Sequence, residues 1–192
     1  MEKIIGIDIA DTIVDVWPNL MKKASKFNSL HSNNKKSSDK NLYLPEHIYN
    51  WNKEDTNLFW SLYRDDLSFS SPIKKGVKET LELLRELSIK IYFITAKSNL
   101  EYVELEKKII KLLNDNSIPY DRIFTQISNK GLLCKEENIS YLVDDSYDNC
   151  LDAIKYNKIA MLVNNDYNEN RILLENMYRI KEFNEIKKYI LK

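Results

Sequence analysis

A few ionisable side chains and one hydroxyl in this sequence stand where chemistry is done. Asp8 closes the apolar run KIIGID at residues 3–8. A carboxylate at the end of a buried strand loses its hydration shell and needs a cation, hydrogen-bond donors or a shifted pKa to stay there. That marks Asp8 as a nucleophile or metal ligand ahead of a plain loop or capping residue. Asp144 and Asp145 close a second apolar run, ISYLVDD at 139–145. Two adjacent carboxylates add nothing to packing. Side chains alternate along a strand, so the pair faces one place only if the strand has already ended. A hard cation such as Mg²⁺ would neutralise the pair together with Asp8. Which of the two binds it directly stays open; the other is left to orient Lys130 or a water. Thr95 ends a third run, IKIYFIT at 89–95. Its hydroxyl and the backbone N–H groups of Ala96 and Lys97 would grip a phosphate oxygen if a helix starts there; the competing role is a helix cap. Lys97 reaches either substrate or solvent. Lys130 is a cation placed just ahead of the helix before the acidic pair, able to balance three carboxylates and a phosphate. Taken alone it reads as solvated surface. Asp11, followed by Thr12, reads as a cap for the next helix ahead of a metal ligand.

The elements that must position these groups follow from the apolar pattern. Short buried runs at 3–8, 89–95, 139–145 and 158–164 read as strands, 121–126 suggests another, and MYRIKEF at 177–183 suggests a short one. Helical spacing covers 13–27, starting near Pro18, which is tolerated only in a first turn. Further helices are expected over 54–67 (a short one), 99–114, 132–138, 146–157 and 184–192. The run KKGVKETLELLRELS carries Val77, Leu81, Leu84 and Leu87 on one expected apolar face. Residues 28–41 are polar and turn-rich and read as a mobile surface loop. Strands alternating with helices imply an α/β fold, a three-layer Rossmann-like sandwich with a mostly parallel central sheet. Ligands bind such sheets beyond the carboxyl ends of the strands, where strand order reverses. Asp8, Thr95, Asp144 and Asp145 all end strands at that edge. The interval between the first two strands is too long for a simple crossover. We divide the chain into a core of residues 1–12 and 73–192 and a small, mainly helical cap of residues 13–72.

Composition narrows the partners. Lys plus Arg number 29 and Asp plus Glu 29, so the net charge is zero and no basic excess favours a nucleic acid polymer. No apolar stretch of about 20 residues suggests a membrane helix, and Asp8 and Asp11 interrupt the early apolar run that a signal segment would need. The expected location is cytoplasmic. Cys134 and Cys150 have neither the number nor the spacing of a disulfide framework or zinc site and read as buried thiols. Two histidines are too few for a His-rich metal site.

The segments GIDIADTIVD, FITAKS and SNKGLLCKEENISYLVDDS together resemble the four motifs of the haloacid dehalogenase-like phosphatase superfamily. The subgroup they are most similar to is the 5'-nucleotidase type C set, which includes 5'(3')-deoxyribonucleotidases. The resemblance spans nearly the whole chain, strongly over 3–12 and 72–155 and loosely in the cap. It implies that Asp8 attacks phosphorus and forms an aspartyl-phosphate. It implies that Thr95 and Lys130 hold the transferring phosphoryl group, and that Asp144 and Asp145 supply a Mg²⁺ ligand alongside Asp8 and the Ala10 carbonyl. Asn149 matches a recurrent polar position, and Ser146 shapes its loop. The implied substrate is a small phosphorylated molecule, a nucleoside monophosphate first.

One departure stands out. The family pattern is Asp-x-Asp, and this chain reads Asp8-Ile9-Ala10. The missing carboxylate normally protonates the leaving oxygen and later activates water. Losing general acid–base help costs roughly 10²–10⁴-fold in rate. Asp11 is displaced by one residue, which re-aims its carboxylate. The readings are therefore a weakened or inactivated phosphatase, natural or engineered, a non-catalytic phosphate or nucleotide binder, or chemistry that does without that Asp. Phosphonoacetaldehyde hydrolases are similar in carrying Ala there and use a cap lysine as a Schiff base; lysines such as Lys22 and Lys23 are candidates here. A receiver-like phosphoryl acceptor is disfavoured by the long insertion and by Lys130 preceding Asp144. In the cap, Trp17, Trp51, Trp60 and Tyr63 are available to stack on a base or to form the cap's own core; Trp17 and Trp60 are the substrate-contact candidates. The aromatic content also suggests a homodimer surface.

Overall fold

The computed structural model describes residues 3–191. Residues 1, 2 and 192, the first residues assigned to the core and the last of the expected final helix, lie outside the described residues. Six strands form one sheet: β1 (Ile4–Ile7), β2 (Lys90–Ile94), β3 (Arg122–Phe124), β4 (Tyr141–Asp144), β5 (Ile159–Val163) and β6 (Met177–Ile180). Their order is β3-β2-β1-β4-β5-β6, and all five pairings are parallel. The order reverses at β1, which lies between β2 and β4. That reversal opens a crevice at the carboxyl ends of β1 and β4. Ile7 is in register with Val143, and the Asp8 N–H donates to the Val143 carbonyl at 2.9 Å. The chain therefore lays Asp8 beside Asp144 with backbone precision.

Both faces of the sheet are covered, which is why the strands read as continuous apolar runs. Ile5, Ile7, Ile91, Phe93, Val143 and Met161 belong to one buried cluster; Ile4, Ile94, Leu142, Ala160 and Leu162 belong to the other. The second face is packed by α6 (Lys130–Glu136) and α7 (Tyr147–Lys155), which carry the buried free thiols of Cys134 and Cys150. Two glycines permit the close approach on this side. A Cβ at Gly6 would lie 2.7 Å from Ile94 Cδ1. A Cβ at Gly131 would lie 2.4 Å from the Asp152 carbonyl oxygen, so α6 and α7 touch backbone to backbone. No helix among the described residues is long and apolar enough to cross a membrane.

The interval between β1 and β2 holds α1 (Trp17–His31), α2 (Pro45–Ile48), α3 (Lys53–Phe69) and α4 (Val77–Glu86). The chain enters and leaves this interval through one paired neck: Asp15 N–H donates to the Pro72 carbonyl and Lys74 N–H to the Ile13 carbonyl, both at 2.8 Å. Inside the insertion, Phe27, Trp51 and Phe59 pack ring against ring, with centroids 5.0–5.4 Å apart. The Trp51 indole N–H is satisfied by Asn28 Oδ1 at 2.9 Å.

Several element boundaries differ from the sequence reading. α1 places Pro18 in its first turn as expected but runs on to His31. The polar stretch after it is tied down: Asn28 Nδ2 donates to the Asn34 carbonyl and Ser37 N–H to the Ile48 carbonyl. α3 is a 17-residue helix, not a short one; Asn52 caps its start by accepting the Asp55 N–H. Leu87 is half exposed and off the buried face of α4, because the helix ends at Glu86 and Ser88 turns the chain with φ 59°. α5 (Leu105–Asp115) begins six residues later than expected. Asn99 Oδ1 accepts the Leu105 N–H and Glu104 is left-handed at φ 53°, so residues 98–104 form turns. At the end of the chain a 3₁₀ turn (Phe183–Ile186) precedes the short α8 (Lys187–Ile190).

Candidate active site

Asp8 follows β1 and Lys130 opens α6, whose first turn is capped by Asn129 Oδ1 accepting the Leu132 N–H. This places the Lys130 ammonium, 1% exposed, between two carboxylates: 2.5 Å from Asp8 Oδ1 and 2.6 Å from Asp144 Oδ2. Burial alone would neutralise the lysine, but Asp144 and Asp8 outweigh it and hold its pKa above the ordinary value. The third ammonium proton has no acceptor among the described residues. Asp8 Oδ2 receives no hydrogen bond among the described residues.

The two adjacent carboxylates have different surroundings. Asp144 is saturated by nitrogen donors: Lys130, the Ser146 N–H at 2.8 Å, and Asn149 Nδ2 at 3.1 Å from each oxygen. Asp145 lies beyond the end of β4, and among the described residues its carboxylate meets only hydroxyls: Thr12 Oγ1 at 3.1 Å on Oδ1 and the Tyr167 hydroxyl at 2.6 Å on Oδ2. Its carbonyl accepts from Asn168 Nδ2 at 2.8 Å. Burial, then Asp144 and Asp11, push the Asp145 carboxyl up to about 7. Asp8 is likewise pushed up to about 7, by burial first; Lys130 opposes the rise and Asp144 and Asp145 add to it.

Thr95 is buried at the end of β2 and its Oγ1 accepts the Lys97 N–H at 3.2 Å. No helix begins there; α5 starts ten residues on, so the expected helix-terminus contribution to a phosphate grip is absent. Lys97 Nζ donates to the Tyr102 hydroxyl at 3.2 Å. Asp11 adopts φ 54° and its Oδ1 accepts the Trp17 N–H, the first of α1, at 2.6 Å. That is the capping role read from the sequence. Burial lifts its carboxyl to about 6.

A cavity of about 690 Å³ joins these groups. Asp8, Ala10, Asp11, Thr95, Ala96, Lys97, Lys130, Asp144, Asp145, Ser146 and Asn149 all line it. The insertion supplies the opposite wall, including Trp17, Glu46, Trp60 and Arg64. Trp51 and Tyr63 do not reach it; Trp51 packs on Phe27 and Phe59 in the buried cluster that is continuous with one face of the sheet, and Tyr63 lies under Lys23. Neither Lys22 nor Lys23 lines the cavity, and Lys23 pairs with Asp66 at 2.9 Å. Neither of these two lysines is therefore placed to serve the phosphonatase-like reading.

Among the described residues, no group of three or more His, Cys, Asp and Glu side chains gathers to hold a metal unaided. Mg²⁺ does not demand one; it is held by one or two carboxylates with waters and substrate phosphate. Asp8 and Asp145, both hindered from ionising by burial and by neighbouring carboxylates, fit that requirement. The Ala10 carbonyl accepts no hydrogen bond among the described residues and completes the set.

Sequence reasoning missed Thr12, Tyr167 and Asn168, which position Asp145, and Lys74, which donates to the Asp11 carbonyl at 2.5 Å. Their only signal is location: Tyr167 and Asn168 follow β5 at the same sheet edge.

No family model matches this chain, and no curated protein does. Solved structures match over nearly their full length. A haloacid dehalogenase-like family protein, SP0104 from Streptococcus pneumoniae, is 13% identical with a TM-score of 0.69, covering 98% of each chain. A predicted phosphoglycolate phosphatase from Haemophilus somnus is 15% identical with a TM-score of 0.64, covering 98% of this chain and 97% of that one. The HAD-like protein YfnB from Bacillus subtilis, in a structure bound to magnesium, is 13% identical with a TM-score of 0.65, covering 100% and 99%. The chain has the fold of haloacid dehalogenase-like hydrolases.

Proposed function

We propose that this chain is a Mg²⁺-dependent phosphomonoester hydrolase of the 5'-nucleotidase kind, slowed by Ala10. The carrying observation is the Lys130 ammonium shared between Asp8 Oδ1 and Asp144 Oδ2, which leaves Asp8 Oδ2 without a donor in a cavity of substrate size. Residues 13–72 act as a cap over the core, excluding water from that cavity. Asp8, Asp145 and the Ala10 carbonyl would hold Mg²⁺, which when bound supplies positive charge for the carboxylates and the phosphate. Asp144 is the partner that orients Lys130.

Asp8 Oδ2 attacks phosphorus, the Asp8–phosphorus bond forms and the bond to the leaving oxygen breaks. Lys130 and the Thr95 hydroxyl hold the phosphoryl oxygens. The leaving oxygen needs a proton, and the Ala10 methyl has none to give; water must supply it. Hydrolysis of the aspartyl-phosphate then requires a base that position 10 also lacks. Both half-reactions are therefore slow. Trp17 and Trp60 on the wall favour a nucleoside monophosphate, since base–aromatic stacking is worth about 1–3 kcal/mol. Ala10 equally supports a second reading, a protein that binds nucleotide or phosphate with Mg²⁺ and does not release product.

Phosphate release from nucleoside monophosphates and simple phosphomonoesters, with Mg²⁺ and with EDTA, decides between them. Ala10→Asp is expected to raise the Mg²⁺-dependent rate by about 10²–10⁴-fold. Retained Mg²⁺-dependent binding with no turnover by either chain supports the binder. No turnover and no binding sinks both.

A further inference from the structure

Glu46 is a charged group of the cavity wall that no ion pair balances among the described residues. It lies on α2, partly buried, and lines the cavity. Its carboxylate takes a single protein donor, the Trp60 indole N–H, at 3.2 Å from Oε2 and 3.4 Å from Oε1. No Lys, Arg or His nitrogen among the described residues pairs with it. The neighbouring cation is already engaged: Arg64 pairs with Glu101 at 2.9 Å and lies over the rings of Trp60 and Tyr102, 5.6 Å from each centroid. An ionised carboxylate only accepts hydrogen bonds. A second anionic group on the substrate would be repelled there, and an apolar one would strip water from a charge without replacing it.

We infer that Glu46 selects the leaving group, accepting N–H donors from the end of the substrate opposite its phosphate. This rests on the phosphomonoester reading of the same cavity. The Trp60 ring beside the carboxylate favours a planar donor, so the class is a nucleoside monophosphate whose base offers paired N–H groups, as a guanine edge does. A flexible primary amine presents the same chemistry and is separated by the test.

The measurement is calorimetric binding with Mg²⁺ to the full chain and to Glu46→Gln. Gln keeps an oxygen for the Trp60 N–H but turns an acceptor into an amide donor. Inorganic phosphate, which has no leaving group, reports the phosphate end alone. Guanosine monophosphate is compared with inosine monophosphate, which lacks only the amino group, and 2-aminoethyl phosphate with ethyl phosphate. We expect a 10–100-fold preference for the guanosine form, the range of a hydrogen bond to a charged group, collapsing toward unity in Glu46→Gln. A preference confined to 2-aminoethyl phosphate and lost in the variant upholds Glu46 as the N–H reader and assigns the leaving group to an alkylamine. Phosphate binding with no preference in either pair, or a preference that survives Glu46→Gln, overturns the inference and leaves the phosphomonoester reading intact. Failure to bind inorganic phosphate overturns both.

Discussion

The floor and the wall of the cavity are built on different principles. The floor comes from strand ends and the first residue of α6. Its charged groups are buried and cross-linked, with Lys130 shared by two carboxylates and Asp144 saturated by three donors. The wall comes from helices of the insertion. Its groups are rings and partly buried polar side chains, and Glu46 takes a single protein donor, Trp60. A phosphoryl group is the same in every monoester, so its site can be rigid; the leaving group varies, and its site is the loosely determined one. The prediction is that floor substitutions cost stability as well as chemistry, whereas wall substitutions redistribute affinity among substrates.

The largest effect is expected from Lys130→Met. The change keeps much of the side-chain volume and leaves Asp8 and Asp144 buried without their cation. Breaking a buried pair on one side costs about 3–5 kcal/mol. Urea unfolding near pH 8 in EDTA should show that loss, and it should shrink near pH 5, where Asp8 becomes protonated. A loss under about 1 kcal/mol at pH 8 would mean that the floor is no more determined than the wall.

Next comes the pH dependence of the metal-free protein. Asp8 and Asp145 are raised from 3.8 to about 7 and Asp11 to about 6. A carboxyl raised on folding stays protonated in the folded chain where the unfolded chain has lost its proton. Its stabilisation is complete below the unfolded pKa and is lost as pH rises through the folded one. The site therefore destabilises the fold progressively between about pH 4 and pH 7. Asp66 and Glu185, lowered by Lys23 and Lys188, act the opposite way, losing stability only as pH falls through the acid range. At this chain length each kcal/mol moves Tm by about 2–4 °C. In EDTA, Tm should fall by several degrees from pH 5.5 to pH 8, Mg²⁺ should restore it at pH 8, and Asp145→Asn should flatten the profile. A Tm that rises toward pH 8 in EDTA would remove the case for a metal-seeking pair.

The same contrast governs what was legible before folding. Asp8, Thr95, Asp144 and Asp145 end apolar runs, and a parallel sheet sends all strand ends to one edge; Lys130 became readable once that edge was fixed. Nothing comparable marks the wall. Phe59 and Trp60 are adjacent and chemically alike, yet Phe59 is fully buried in the insertion while Trp60 lines the cavity. About 100° of helix rotation separates them, and tertiary packing alone decides which faces inward. The late start of α5 was hidden for a related reason. Its apolar spacing continues backward through residues 99–104, but the Asn99 side chain accepts the N–H that would otherwise extend the helix. Tyr167 and Asn168 sit in a polar loop with no periodicity to read.

Tyr167 gives the smallest and sharpest test, because it belongs to both regions. Its hydroxyl donates to Asp145 Oδ2 at 2.6 Å, while its ring packs edge-on against Trp17 at 4.8 Å and near Tyr43 at 5.9 Å. Tyr167→Phe removes the floor contact and keeps the wall contact; Tyr167→Leu removes both. The lost hydroxyl helped hold the Asp145 carboxyl down against burial, so its pKa should climb further in the Phe variant. Mg²⁺ must then displace a more tightly held proton. Its apparent affinity should drop by about threefold to tenfold near pH 6.5, within the worth of one hydrogen bond to a charged group, and should approach that of the parent chain near pH 8.5. Nucleotide binding measured at pH 8.5 should be nearly unchanged in Tyr167→Phe and weaker in Tyr167→Leu. If both variants lose Mg²⁺ and nucleotide affinity together at every pH, the two regions act as one unit and the division between a rigid floor and an adaptable wall fails.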